Sequence, residues 1–223
     1  MIVGERKSLS EIKEMVRPYA KILVAGCDTC TAECMVGGRK QVAELAAALD
    51  MAFRLEGQEM EIQEISVDRQ CIHEFLLDVI EKAEETQAVV SIACGAGVQS
   101  LAERMPGKAV YPGINTKFIG ETAGPGLWQE RCQGCGDCML GITGGLCPVT
   151  RCAKGLLNGP CGGSQGGLCE VSVTLKCDVP CIWQLIYDRL GQLGELERLS
   201  KFTPPKDWRS GGGIGPRQVK RQD

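Results

Sequence analysis

Short apolar runs alternate with amphipathic segments along the chain from residue 8 to about residue 120. The apolar runs are bounded by glycine or charged residues, which is typical of strands buried in a parallel sheet. Ser8 and Glu11 have capping-box spacing, which predicts the start of a first helix. Strands separated by helices predict right-handed βαβ units in an open parallel sheet. The predicted strands are KILVAG (21–26), MEIQEISV (60–67), AVVSIAC (88–94) and KAVYPGI (108–114), and the later helices are QVAELAAALDMAFRLEG (41–57), CIHEFLLDVIEKAEE (71–85) and VQSLAERM (98–105).

The pattern changes between about Trp128 and Cys181, where glycine, cysteine and turn residues replace the apolar periodicity. Such a stretch cannot build a hydrophobic core alone, so we expect it to depend on bound metal or on disulfides. WQLIYDRLGQLGELERL (183–199) then predicts an amphipathic helix. Its apolar stripe is expected to lie in the protein's own core rather than on a docking face; the stripe consists of Trp183, Leu185, Ile186 and Leu190.

These patterns predict an α/β fold, with an open parallel sheet and flanking helices followed by a cysteine-rich, ferredoxin-like cluster-binding segment and a closing helix. The predicted parts are an α/β domain with a metal or cluster site at its rim (1–125), the cysteine-rich segment with its closing helix (126–203) and a flexible tail (204–223).

The composition restricts the function. The chain has 223 residues, a formal net charge of -3 and 4% aromatic residues, which argues against a nucleic-acid-binding protein. The sequence shows neither the apolar core of a signal peptide nor the roughly 20 uninterrupted apolar residues of a membrane span. We therefore expect a cytoplasmic protein.

The 14 cysteines are the main chemical feature of this chain. Disulfides are rare in a reducing cytoplasm, so a cysteine-rich chain is expected to bind metal. The single histidine, His73, lies beside the apolar helix face formed by Ile72, Phe75, Leu76, Val79 and Ile80. We expect it to be an ordinary solvated side chain, which leaves thiolate chemistry as the basis of function.

The first five cysteines fall on one rim of the predicted sheet. The carboxyl ends of parallel strands form the ligand-binding edge of an open sheet, and helix N-termini nearby favour thiolates. Five thiols compete there for the four positions of a tetrahedral zinc or a cubane cluster, and the sequence leaves the choice of metal and ligands open. The candidates are Cys27, Cys30 and Cys94, which are the firmest, together with Cys34 and Cys71.

Nine further cysteines follow in the turn-rich half. RCQGCGDC (131–138) carries the C-x2-C-x2-C spacing that begins a bacterial ferredoxin pattern, and Cys147 precedes Pro148 as in that pattern, although later than usual. Three equally spaced cysteines favour a cubane over zinc, because zinc ribbons bring their ligands in pairs. The candidate ligands in this half, enough for two cubanes with one thiol to spare, are Cys132, Cys135, Cys138, Cys147, Cys152, Cys161, Cys169, Cys177 and Cys181.

Two long stretches also resemble a known family: GCDTCTAECMVGGRKQVAELA (26–46), and RCQGCGDCMLGITGGLCPVTRCAKGLLNGPCGGSQGGLCEV (131–171) with CIWQLIYDRL (181–190). They are similar to the methylenetetrahydrofolate reductase C-terminal domain family, which includes the MetV-type iron–sulfur small subunits of MetVF-type reductases.

The resemblance implies a heteromeric oxidoreductase of anaerobic one-carbon metabolism, such as the Wood–Ljungdahl pathway. A MetF-like partner subunit with flavin would reduce 5,10-methylenetetrahydrofolate to 5-methyltetrahydrofolate. This chain would carry electrons to that flavin through two or three [4Fe–4S] clusters, or two clusters and a zinc, from ferredoxin or another iron–sulfur protein. The family pattern places the last ligand just before the tryptophan of the closing helix, which matches Cys181 and leaves Cys177 as the spare thiol.

The resemblance supplies no catalytic acid or base in this chain, and the turn at GCDTC (26–30) lacks the dinucleotide fingerprint. Two alternatives remain open at this point. The chain could be a structural zinc module that docks to or stabilises the reductase without moving electrons. It could also be an enzyme in its own right, with an open iron at the rim.

Overall fold

The computed structural model describes residues 1–210 and 217–220. The chain divides into two compact units, Met1–Trp128 and Gln129–Asp223. The predicted flexible tail falls partly on residues 211–216 and 221–223, which lie outside the described residues.

The described residues form two sheets. The four-stranded sheet lies in the first unit, has the strand order β3-β2-β4-β5 and is parallel throughout, which confirms the predicted α/β fold. The other sheet has the order β1-β6-β7, and β1 runs antiparallel to β6; β7 continues beyond Trp128, the last residue of the first unit. The strands are β1 Ile2–Arg6, β2 Lys21–Cys27, β3 Glu61–Val67, β4 Ala88–Ser91, β5 Ala109–Pro112, β6 Ile114–Gly124 and β7 Leu127–Cys132.

Within the described residues, five α-helices lie in the first unit and three in the second. The Ser8 hydroxyl caps the first helix by accepting the N–H of Glu11, at 3.2 Å, which confirms the predicted helix start. The helices are α1 Leu9–Val16, α2 Cys30–Glu33, α3 Arg39–Leu55, α4 His73–Glu84, α5 Gly95–Arg104, α6 Pro148–Arg151, α7 Val171–Leu175 and α8 Ile182–Leu193.

The central strand β2 separates two hydrophobic cores. Successive strand side chains point to opposite faces. Ile22 and Val24 accordingly pack against α1 and α3, while Leu23 and Ala25 pack against α4 and α5. All four side chains are fully buried. The parallel sheet is thus covered by helices on both faces, and its carboxyl edge is held in a fixed position.

Two details of the predicted helices are wrong. Phe75, predicted on the apolar face of α4, is 37% exposed, because that face is formed by Leu76, Val79 and Ala83. The predicted helix 183–199 ends at Leu193, since Gly194 adopts a left-handed conformation with φ of 70°, and a separate 3₁₀ turn follows.

The second unit has a much smaller core. Trp183, Ile186 and Leu190 of α8 are buried and Leu185 packs half-buried against them, as predicted for the apolar stripe of this helix, and Ile182 and Cys181 are buried with them. Partly buried neighbours complete the cluster, and two of them are Cys152 and Cys169. Sulfur atoms therefore belong to the core itself. Within the described ranges, no helix has the length and apolarity needed to cross a membrane.

Candidate metal centres

Three rim cysteines follow three neighbouring strands of the parallel sheet. Cys27 is the last residue of β2, Cys71 lies between β3 and α4, and Cys94 is the N-cap of α5. Partial burial of the Cys71 sulfur raises the pKa of its thiol, and the Cys94 and Cys27 thiols raise that pKa further. The structure thus places all three predicted residues at the carboxyl edge of the parallel sheet.

A buried glutamine ties the three rim segments to one another. Gln70 is fully buried, and its Nε2 donates to the carbonyl oxygens of Ala25 and Gly26, at 3.0 and 2.9 Å. Its Oε1 accepts a hydrogen bond from the Ser91 hydroxyl at 2.7 Å. Because Gln70 precedes Cys71 directly, these bonds fix the Cys71 segment against the ends of β2 and β4.

The remaining rim cysteines lie on α2. Cys30 begins this helix and Cys34 is its C-cap, with the Cys34 N–H donating to the Cys30 carbonyl oxygen at 3.2 Å. The Cys34 thiol is buried and donates to the carbonyl oxygen of Ile2 in β1, at 3.6 Å. Burial raises the pKa of the Cys34 thiol. Cys34 is therefore directed at β1, whereas Cys27 donates to the Asp68 carbonyl oxygen at 3.6 Å.

In the second unit, four cysteines line one cavity. They are Cys152, Cys161, Cys169 and Cys181, all of them predicted ligands. Short backbone pairings position two of the four: the Cys169 N–H donates to Val179 O and the Cys181 N–H to Gly167 O, both at 2.8 Å. Four thiols around one cavity form the donor set that a tetrahedral metal or a cubane cluster requires.

Cys181 has the electrostatic environment of a thiolate. It is the N-cap of α8 and is 6% exposed. Burial acts to raise the pKa of its thiol, but the Ser164 hydroxyl and the backbone N–H groups of Gln184 and Trp183 lower that pKa below its ordinary value. These contacts fall short of a full side-chain cap. They nonetheless favour negative charge on sulfur at the helix N-terminus, as metal ligation demands.

The lining of this cavity offers two further features that suit a sulfur-ligated group. The indole N–H of the buried Trp183 has no acceptor within the described residues, and an orphan donor of this kind costs about 1–3 kcal/mol unless an acceptor is supplied. Lys154 and Arg151 place positive charge beside the four thiols. The hydrogen bond with Glu170 raises the pKa of Lys154, and Cys161 and Cys169 add to that rise.

The C-x2-C-x2-C segment begins at Cys132, the last residue of β7, and continues as an open loop. Cys132 and Cys138 are exposed and Cys135 is half-buried, with left-handed glycines between them at Gly134 and Gly136. The Gly134 N–H donates to the Cys132 sulfur at 3.3 Å, and the Cys135 thiol donates to Asp137 O at 3.7 Å. Successive turns of this kind direct backbone N–H groups towards sulfur.

Cys147 and Cys177 do not line the cavity of the other four cysteines. Cys147 is the N-cap of α6, and its thiol donates to the Thr150 hydroxyl at 3.6 Å, while Cys152 is the C-cap of the same single turn. Cys177 is exposed and follows the left-handed residue Lys176. Over residues 1–210 and 217–220, no three Cys, His, Asp or Glu side chains already converge at metal-binding distance. Several thiols instead donate to nearby oxygen atoms, as described above.

The only histidine of the chain has a hydrogen-bond partner outside both cysteine groups. His73 is exposed, as predicted, and its Nδ1 accepts a hydrogen bond from the Arg104 guanidinium at 2.9 Å.

The residues that support the thiols could not be recognised from sequence patterns. Gln70, Ser164 and Trp183 carry no spacing signal, and Lys154 and Glu170 lie 16 positions apart. Only their closeness to cysteines along the chain could have drawn attention to them.

Comparison with known proteins adds one finding. Neither the curated proteins nor the solved structures contain a match to the chain. Residues 111–209, which include the whole described cysteine-rich region, match the model of the family described as "Methylene-tetrahydrofolate reductase C terminal".

Proposed function

We propose that this chain is an iron–sulfur electron-transfer subunit of a methylenetetrahydrofolate reductase. It receives electrons from ferredoxin or another iron–sulfur protein and delivers them to the flavin of a partner subunit, which reduces 5,10-methylenetetrahydrofolate to 5-methyltetrahydrofolate. The observation that carries the proposal is the cavity lined by Cys152, Cys161, Cys169 and Cys181, within a segment that matches a reductase family.

The second unit offers ligands for two clusters. Cys152, Cys161, Cys169 and Cys181 hold one. Cys132, Cys135, Cys138 and Cys147 form the complementary set, since none of them lines that cavity and three share a loop with ferredoxin spacing. When bound, such clusters supply one-electron transfer, and a flavin collects single electrons into the pair that its chemistry requires.

The surrounding residues have defined tasks in this proposal. Ser164 and the N-terminus of α8 stabilise the thiolate of Cys181. The buried side chains of Ile182 and Trp183 cover one side of the cavity and limit the access of water. At the rim of the parallel sheet, Cys27, Cys71 and Cys94 provide thiols for a third centre, with zinc or a cluster as the occupant.

The proposal is tested by anaerobic purification followed by iron, sulfide and zinc determination and by EPR of the reduced protein. We expect about four irons per cluster, and a loss of one cluster in Cys161→Ser. Cys177→Ser is the matched control, because Cys177 is exposed and does not line the cavity, and it should retain all iron. Zinc without iron in the second unit would instead establish a structural module.

Electron delivery requires its own experiment. The reduced and desalted protein should bleach the visible absorbance of the oxidised flavin when mixed with a flavin-containing methylenetetrahydrofolate reductase subunit, and Cys161→Ser should do so more slowly. A cluster-loaded protein that leaves the flavin oxidised would refute the electron-transfer role.

A further inference from the structure

One ion pair lies beside the thiols of the cysteine cavity. Lys154 Nζ is 2.8 Å from Glu170 Oε1, and both side chains line the cavity together with Arg151. These three are the formally charged residues of its lining, and the rest are cysteine, serine and apolar side chains. Glu170 directly follows Cys169 along the chain, and Lys154 follows Cys152 by two positions.

The Glu170 carboxylate occupies the space beside Gly163 that a side chain at that position would fill. A Cβ atom on Gly163 would lie 1.8 Å from Oε2 of Glu170, so only glycine admits the carboxylate at its observed position. Lys154 and Glu170 are 45% and 41% exposed, and surface ion pairs of this kind stabilise a fold by only about 0–1 kcal/mol. Stability alone gives little reason to hold the pair beside four thiols.

A charged side chain beside the four cysteines changes the reduction potential of a redox group that they hold. Uptake of one electron adds one negative charge to a group held by the four cysteines. A nearby ammonium stabilises the reduced form and raises the reduction potential, whereas a carboxylate does the opposite. The effect is felt across a cavity of low polarity more strongly than in water, and net charge is among the known determinants of cluster potentials.

We propose that Lys154 and Glu170 form a charge pair that sets the reduction potential of the iron–sulfur group held by Cys152, Cys161, Cys169 and Cys181, an inference that rests on the proposed function. In each transfer one electron enters from the donor protein and one leaves to the partner's flavin, with no bond formed or broken in this chain. Lys154 remains an ammonium throughout, so it acts by position and charge.

The test is an anaerobic redox titration of the full chain monitored by EPR. The relevant signal is identified as the one lost in Cys161→Ser. Lys154→Met should move its midpoint to a more negative potential, so that the reduced-to-oxidised ratio at the wild-type midpoint falls by up to about tenfold, or ~59 mV for one electron. Glu170→Gln should move the midpoint in the opposite direction.

Two further variants control for the number of charges and for the geometry. Arg209→Met removes one positive charge from an exposed pair with Asp207 that does not line the cavity, and it should leave the midpoint unchanged. Gly163→Ala changes no charge but displaces the Glu170 carboxylate, and it should move the midpoint in the direction of Glu170→Gln.

The outcomes separate this inference from the proposed function. Iron-loaded variants whose midpoints stay fixed, or that shift in the same direction for Lys154→Met and Glu170→Gln, would overturn the charge-pair role alone. An iron-free wild-type chain would overturn the proposed function. If Lys154→Met fails to retain iron, Lys154→Arg replaces it, and this variant must keep the wild-type midpoint potential because it keeps the positive charge. The charge-pair role is then decided by Glu170→Gln, which must shift the midpoint to a more positive potential.

Discussion

The two units of the chain reach order by different means. In the first, helices cover both faces of a parallel sheet, and residues such as Leu23, Leu49 and Leu76 are fully buried. In the second, the buried cluster is small and centres on α8, with Cys181 inside it and Cys152 and Cys169 packed against it. Hydrophobic burial suffices for the first unit, whereas thiols occupy core positions in the second.

The two units therefore differ in whether the core that positions the cysteines is independent of those cysteines. The rim cysteines of the first unit are placed by an independent core, so their removal should leave the sheet intact. In the second unit Cys181 is part of the buried cluster and Cys152 and Cys169 pack against it, so under the proposed function the free energy of metal binding contributes directly to the folding of that unit.

Removal of bound metal should give the largest contrast between the units. After anaerobic chelation, amide exchange in α8 (Ile182–Leu193) should accelerate by about a hundredfold or more, because metal binding supplies folding energy to that unit. Amides of β2 (Lys21–Cys27) should keep their protection. Hydrogen exchange with mass spectrometry measures both in one sample. Equal losses in the two units would show that they fold as one, and an unchanged α8 would show that its core needs no metal.

A matched pair of leucine truncations should give the next largest effect. Leu49 in α3 and Leu190 in α8 are both fully buried, and truncation of such a side chain to alanine costs about 2–5 kcal/mol in a close-packed core. Leu49→Ala should lower the free energy of unfolding of the first unit, measured by urea denaturation, by that amount without loss of bound iron. Leu190→Ala should release iron as well, because Leu190 packs in the cluster that contains Cys181. If both variants retained the same amount of iron, the core around Leu190 would be no more closely tied to iron binding than the core around Leu49.

The sequence predicted the first unit's parallel sheet well, because its signal is local. Ile22, Leu23 and Val24 are apolar without interruption and are buried on both faces. The antiparallel sheet was missed, since β1 (Ile2–Arg6) pairs with β6 (Ile114–Gly124), more than a hundred positions away. Exposed residues predominate in β6, so it carries no apolar run, and its pairing comes from tertiary structure.

The cysteine groups were recognisable from spacing, but their arrangement was not. Cys147 and Cys152 are five positions apart in the sequence, and the structure places them at opposite ends of the single turn α6. Only Cys152 lines the cavity with Cys161, Cys169 and Cys181. Spacing fixes how far apart two thiols can be, whereas the direction of each depends on turns that glycine-rich sequence leaves open.

A glycine in the second unit provides a smaller and more local test. A Cβ atom on Gly159 would lie 2.3 Å from Cγ of the buried Trp183 indole. Gly159→Ala should therefore displace Trp183 and destabilise the second unit by about 1–3 kcal/mol, the usual cost of overpacking. Near-ultraviolet circular dichroism and chemical denaturation measure the change. Gly141→Ala is the control, since a Cβ atom there meets nothing within 4 Å. Equal stability of the two variants would show that the Trp183 indole is not closely packed against Gly159.

The smallest expected effect lies on the surface of the first unit. Lys13 and Arg17 both bond to the Glu56 carboxylate, Arg17 at 3.0 Å, and hold the pKa of that carboxyl below its ordinary value of 4.5. A carboxyl whose pKa is lower in the folded state stabilises the fold above its unfolded pKa, and that contribution is lost as the pH falls through the folded value. The wild-type unit should therefore lose slightly more stability than Glu56→Gln between about pH 5 and pH 3.

Urea denaturation of the first unit at several pH values measures this difference. The variant should have the shallower pH dependence, and the two should converge at low pH, where Glu56 is protonated in both folded and unfolded chains. Because the pair is exposed, salt should reduce the difference, as screening weakens surface charges. Parallel curves across this range would show that the bonds from Lys13 and Arg17 do not persist in solution. In that case the ion pairs at Glu56 add nothing to a unit that already has two hydrophobic cores, which would sharpen its contrast with a second unit where charged side chains and thiols line one cavity.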